Sequence, residues 1–134
     1  MDKVGVLIVD DDDSIRTLLG TFLEEEGYPV YYAADGKRAL EQLHTHPEGL
    51  VVLLDVVMPM DGVATLKVVA TDASLATQHA YILMTAANLI LPEQIRPLLQ
   101  QLNVQEVSKP FDISEIVAAI QTAARRLQSL MATL

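Results

Sequence analysis

The chain contains no cysteine and no tryptophan, so neither disulfides nor thiolate metal sites can contribute to it. Aromatic residues are scarce, four tyrosines and two phenylalanines in 134 residues, which argues against base-stacking platforms. No apolar run approaches the ~20 residues of a membrane span. The first run, Val4 to Val9, is also too short for a signal peptide. Positive charge is in short supply as well: nine Lys and Arg stand against eighteen Asp and Glu, for a formal net charge of −9. A surface of that sign repels phosphate backbones and anionic lipids and favours cationic partners, metal ions among them. Direct nucleic-acid binding and membrane insertion are therefore not expected, and a cytoplasmic location is.

Apolar residues make up 51% of the chain, enough to build a core for one domain of this length without staples. Val4-Gly5-Val6-Leu7-Ile8-Val9, Leu50-Val51-Val52-Leu53-Leu54 and Ala80-Tyr81-Ile82-Leu83-Met84 are continuously apolar. Strands buried on both faces need that pattern, which points to a parallel sheet covered by helices. Val30 to Ala33 and Val104 to Val107 are weaker candidates for two further strands.

Helical spacing fills the intervals. Ile15, Leu18, Leu19, Phe22 and Leu23 form one stripe behind Asp13 or Ser14 as a cap, with Gly27 ending the turn. Asp35 can cap a second helix carrying Ala39, Leu40 and Leu43, and Val63, Leu66, Val69 and Ala70 mark a third. A fourth is expected from Pro92 through Leu102, kinked or shortened by Pro97. The last opens at Asp112 and Glu115 in capping-box spacing and carries Ile113, Ile116, Val117, Ile120, Ala124 and Leu127. Five alternations of strand and helix imply right-handed crossovers and a doubly wound α/β sheet.

Ligands of such a sheet bind outside the carboxyl ends of its strands. The first predicted strand ends at Asp10-Asp11-Asp12-Asp13, the third at Asp55, the fourth at Thr85 and the fifth at Ser108-Lys109. Taken singly, each is an ordinary cap, turn or surface residue. Taken together, they bring carboxylates, a hydroxyl and an ammonium to one rim. Crowded carboxylates demand a compensating cation, and an all-oxygen set suits Mg²⁺. A carboxylate can also act as a nucleophile toward phosphorus.

The sequence at this point resembles the receiver domain of two-component response regulators, of the chemotaxis-regulator type. Leu7-Ile8-Val9-Asp10-Asp11-Asp12, Leu53-Leu54-Asp55-Val56-Val57-Met58-Pro59 with Asp61-Gly62, Leu83-Met84-Thr85-Ala86 and Lys109-Pro110-Phe111 carry the resemblance, over roughly residues 3 to 125. It implies a flavodoxin-like (βα)5 fold with strand order 2-1-3-4-5, an order the general rule illustrates with a chemotaxis receiver. It implies phosphorylation of Asp55 by a sensor histidine kinase or phosphotransfer protein. Mg²⁺ would be held by Asp11, Asp55 and the Val57 carbonyl, with Asp10 acting through water. Lys109 would pair with the phosphoryl oxygens, Thr85 would bond to them, and small Ala86 would leave space. The Lys109–Pro110 peptide is expected to be cis. Such a protein is a signalling switch rather than an enzyme, with an unknown downstream protein. In 134 residues it is expected to act without an output domain.

The sequence departs from the family pattern in three places. Glu106 stands where an aromatic ring usually reports phosphorylation. The segment Met58 to Gly62 is one residue short. Val57 and Ala87, the positions that tune the lifetime of the acyl phosphate, cannot orient an attacking water. The receiver is expected over residues 1–126, with 127–134 extending the last helix. Leu130, Met131 and Leu134 there could be a frayed tail or a self-association face, flanked by Arg125 and Arg126, that makes a homodimer. His44, His46 and His79 are expected to be solvated. Two rival readings are a receiver fold used as a phosphorylation-independent interaction module, and a small phosphohydrolase of the haloacid-dehalogenase type. The latter would use Asp10 and Asp12, with Ser14 where its motif expects Thr or Val.

Overall fold

The computed structural model describes residues 3–56, 62–86 and 91–132, with side chains to 129 in the last segment. Five parallel strands form one sheet in the order β2-β1-β3-β4-β5. They are β1 (Gly5–Val9), β2 (Val30–Ala33), β3 (Leu50–Asp55), β4 (Ala80–Ala86) and β5 (Gln105–Lys109). The three continuous apolar runs became the three central strands, and every residue of β3 is buried. Their alternate side chains feed two cores, one on each face of the sheet. Val6, Ile8, Leu53, Ile82 and Met84 meet α1 (Asp13–Glu25) and α6 (Ile113–Ala132) through Leu19, Leu23, Ile116 and Ile120. Leu7, Val9, Val52, Leu54 and Leu83 meet the other helices through Ala39, Leu43, Leu66, Val69, Leu75 and Leu99.

These other helices are α2 (Gly36–Thr45), α3 (Gly62–Ala70), α4 (Ala73–Gln78) and α5 (Arg96–Gln101). Across all the helices, three features differ from the sequence expectation in ways with a physical cause. The cap of α1 is Asp12, not Asp13 or Ser14; its side chain accepts from the Ser14 and Ile15 amides. A short helix, α4, follows α3 because Asp72 caps a new start, accepting from the Ser74 and Leu75 amides. The single helix expected from Pro92 is a 3-10 turn, Glu93–Ile95, followed by the six residues of α5. Pro97 lies in the first turn of α5, where its missing N–H costs nothing. Asp35 caps α2 as expected, accepting from the Arg38 amide. Gly27 takes a φ of 94° after α1, a conformation that glycine adopts without penalty.

His79 is not solvated. It is 3% exposed, at the amino end of β4, where its Nδ1 accepts from the Leu50 amide (2.9 Å) and its Nε2 donates to the Leu43 carbonyl (3.1 Å). One neutral imidazole thus satisfies backbone groups at the end of α2 and the start of β3. Burial lowers its pKa from 6.5. His44 and His46 are exposed or partly so, and the His46 ring meets Tyr31 edge-on.

Candidate functional site

The strand ends deliver their polar residues to one rim. β1 stops at Val9, and the Asp10 amide still donates to the Ala33 carbonyl of β2 (3.2 Å), which carries the ladder one residue further. The chain then turns. Asp10 Oδ1 accepts from the Asp12 amide at 2.9 Å, and Asp12 in turn caps α1. Asp55 is the last residue of β3 and lies in register with Met84. Further along, Thr85 is in register with Ser108, and Ala86 with Lys109. β4 and β5 therefore bring Thr85 and Lys109 to the same edge, and Ala86 is exposed at the end of its strand. The Lys109–Pro110 peptide is cis.

Burial divides the site. Asp10, Asp55 and Thr85 are 1%, 8% and 6% exposed, while Asp11 faces solvent. Carboxylate oxygens of Asp10, Asp11 and Asp55 lie within 4.8 Å of one another. Lys109 Nζ stands 3.7 Å from Asp10 Oδ2 and 3.5 Å from Asp55 Oδ2. Loss of solvent raises the pKa of Asp10, and the Asp55 carboxylate raises it further; the Asp12 amide and Lys109 oppose both. Asp10 Oδ2 is buried without a hydrogen-bond partner among the described residues. A buried carboxylate oxygen in that position costs free energy until a donor or a cation meets it.

This donor set fits a hard divalent cation. It offers three carboxylates from two strand ends, no nitrogen or sulfur, and one buried oxygen awaiting a partner. It fits the phosphohydrolase reading poorly. The Asp12 carboxylate, which that reading needs in the site, is bound to the amides of α1.

Gly62 determines how closely α3 approaches this rim. A Cβ there would stand 2.7 Å from the Asp55 carbonyl oxygen and 2.8 Å from Leu83 Cδ1. The Gly62 amide donates to the Val56 carbonyl (3.2 Å). Val57, Met58, Pro59, Asp61 and Ala87 lie outside the described residues, as does Leu134; of the Leu130 and Met131 side chains nothing is described.

Glu106 does not join the cluster. It sits on β5 in register with Leu83, and its Oε2 accepts from Arg96 Nη1 of α5 at 3.0 Å. Arg16, by contrast, is a residue that sequence reasoning passed over. From the first turn of α1 its Nη1 donates to the Asp10 carbonyl, and its Nη2 pairs with Asp13. The only signal was an arginine three residues after an aspartate on a helix, which is usually a solvated pair.

Comparisons with known proteins agree with this fold. The family model described as "Response regulator receiver domain" matches residues 6–121. The chain is 37% identical over 130 residues to the regulatory protein AtoC of Escherichia coli K12, covering 93% of this chain and 26% of that one. It is also 37% identical over 123 residues to the transcriptional regulatory protein CpxR of the same organism, covering 90% and 49%. The chain thus spans between a quarter and half of these relatives' lengths. Among solved structures, it resembles a CheY-like receiver domain protein from Methanospirillum hungatei JF-1, with a TM-score of 0.76 and 29% identity over 96% of this chain and 97% of that one. The receiver domain of the Francisella response regulator 1452 is similar at a TM-score of 0.78 and 28% identity, over 92% and 98%.

Proposed function

The chain belongs to the response regulator receiver family, a family of signalling proteins, and with the rim geometry in hand we propose that it accepts a phosphoryl group on Asp55. The observation that carries this reading is the grouping of Asp10, Asp11 and Asp55 with Lys109 Nζ reaching between two of them. The donor is a histidine kinase or phosphotransfer protein. A carboxylate oxygen of Asp55 attacks phosphorus, an O–P bond forms, and the bond from phosphorus to the donor's imidazole breaks. Asp11 and Asp55 would hold Mg²⁺, with Asp10 acting through water and the Val57 carbonyl, by resemblance to the family, as a further ligand. Bound there, the ion would neutralise charge on the phosphoryl oxygens.

Lys109, 3.7 Å from Asp10 and 3.5 Å from Asp55, supports the same step as a cation that needs no reorganisation when charge develops. The Thr85 hydroxyl, at the adjoining strand end, bonds to the phosphoryl group once it is in place, and Ala86 leaves it room. Val57 and Ala87 carry no side-chain donor or acceptor, so no side chain there orients a water against the acyl phosphate. The phosphorylated state is accordingly long-lived, and it is read out by a downstream protein.

A second reading, a phosphorylation-independent interaction module, draws support from one observation. Glu106 replaces the family's aromatic ring and is tied to Arg96. One experiment separates the two. Incubation with acetyl phosphate and Mg²⁺ is expected to add about 80 daltons, the mass of one phosphoryl group, to the intact chain, and Asp55→Asn to abolish the gain. No gain favours the second reading, and a gain that survives Asp55→Asn would reject Asp55 as the acceptor. A phosphoprotein half-life that Val57→Asn fails to shorten would reject the proposed longevity.

A further inference from the structure

Four consecutive aspartates, Asp10 to Asp13, end β1 and open α1, yet only Asp10 and Asp11 join Asp55 in the cluster. Asp12 is spent on the cap of α1. Asp13 is held by Arg16, one turn along the same helix. The second arm of that guanidinium donates to the Asp10 carbonyl. The Arg16 side chain is only 17% exposed, whereas that of Asp13 is 88% exposed.

The consequence for Asp10 is that its amide, its carbonyl and one carboxylate oxygen are all bonded. Its amide donates to Ala33, its carbonyl accepts from Arg16, and its Oδ1 accepts from Asp12. The one group left over is Oδ2, which is buried and faces Lys109. We propose that Arg16 is a positioning residue for the cation site, fixing the Asp10 backbone and keeping the Asp13 carboxylate on the flank of α1. This rests on the reading that the rim binds Mg²⁺. The arrangement requires arginine, because a guanidinium donates in two fixed directions at once and an ammonium is a single point.

Two simpler roles predict different behaviour. A cation placed near the site only for its charge would repel Mg²⁺, so its removal would tighten binding. A purely structural arginine would lower stability and leave the affinity of the folded chain unchanged. Positioning predicts weaker binding by a chain that remains folded.

The test is calorimetric titration of the full chain with Mg²⁺ alone, with thermal melts in chelator run alongside. Arg16→Ala is expected to weaken Mg²⁺ binding about tenfold, the usual effect of removing a group that orients a ligand. Arg16→Lys retains the charge and still binds several-fold more weakly, which keeps the test open if the alanine variant does not fold. Asp13→Asn in the Arg16→Ala background recovers part of the loss, because no stray carboxylate then competes for the ion. If wild type binds Mg²⁺ and both Arg16 variants bind it equally well or more tightly, the positioning role is wrong. A wild-type chain that binds no Mg²⁺ overturns this role and the parent reading together.

Discussion

Asp10 illustrates how a residue can work against the fold that holds it. Burial first, and the Asp55 carboxylate second, raise its pKa above the ordinary 3.8. The folded chain therefore binds this proton more tightly than the unfolded chain does. Asp10 favours folding most below 3.8, and that contribution is lost as pH rises through the raised value. Asp10→Asn keeps an acceptor for the Asp12 amide and removes the charge. Near neutral pH, without metal, it is expected to stabilise the chain by about 1–3 kcal/mol, the cost of an unsatisfied buried group, with the gain shrinking toward acid. Urea unfolding of both proteins across pH measures the difference. A variant less stable than wild type at neutral pH would show that Lys109 already compensates Asp10. Residues of this kind were legible in the sequence because each follows an apolar run. His79 was not, since its two partners lie 29 and 36 positions away and nothing nearby in sequence announces them.

At the scale of elements, Gly62 marks the tightest constraint on the site. A Cβ added there would meet, at 2.7 Å, the backbone oxygen of Asp55, which cannot rotate away as a side chain can. Gly62→Ala is expected to cost about 1–3 kcal/mol through overpacking and to slow acetyl-phosphate labelling by displacing the end of β3. Denaturant melts and an intact-mass time course check both; labelling at the wild-type rate would mean that α3 yields instead. The strands themselves were readable to within two residues, because burial on both faces leaves an unbroken apolar run that few other structures need. The helices on the second face were harder. With one buried residue, Leu75, α4 shows no periodicity to detect. Pro97 was expected to kink or shorten the helix from Pro92; the helix is indeed short, with Pro97 in its opening turn rather than inside it. Arg16 was missed because its value lies in a backbone carbonyl across the turn, which residue spacing does not reveal.

For the molecule as a whole, an excess of nine negative charges and an acidic rim are expected to make stability dependent on cations. Specific binding and general screening can be separated by their shape. Mg²⁺ is expected to raise the melting temperature along a saturating curve, worth about 2.7 kcal/mol at a hundred times its dissociation constant. NaCl at equal ionic strength gives a smaller, featureless rise. Scanning fluorimetry of wild type and of an Asp10→Asn, Asp11→Asn double variant tests this; equal responses to the two salts would place the effect on the surface. Among the described residues, no helix is long and apolar enough to cross a membrane.

The winding of the chain has a consequence of its own. After β1 the polypeptide leaves toward one side of the sheet with α1, and after β3, the strand beside it, toward the other with α3. Two neighbouring strands whose successors depart in opposite directions must open a notch between them, whatever side chains line it. Replacing every carboxylate would thus erase the chemistry and leave the hollow, which makes this rim the natural place to graft a different ligand set onto the same scaffold.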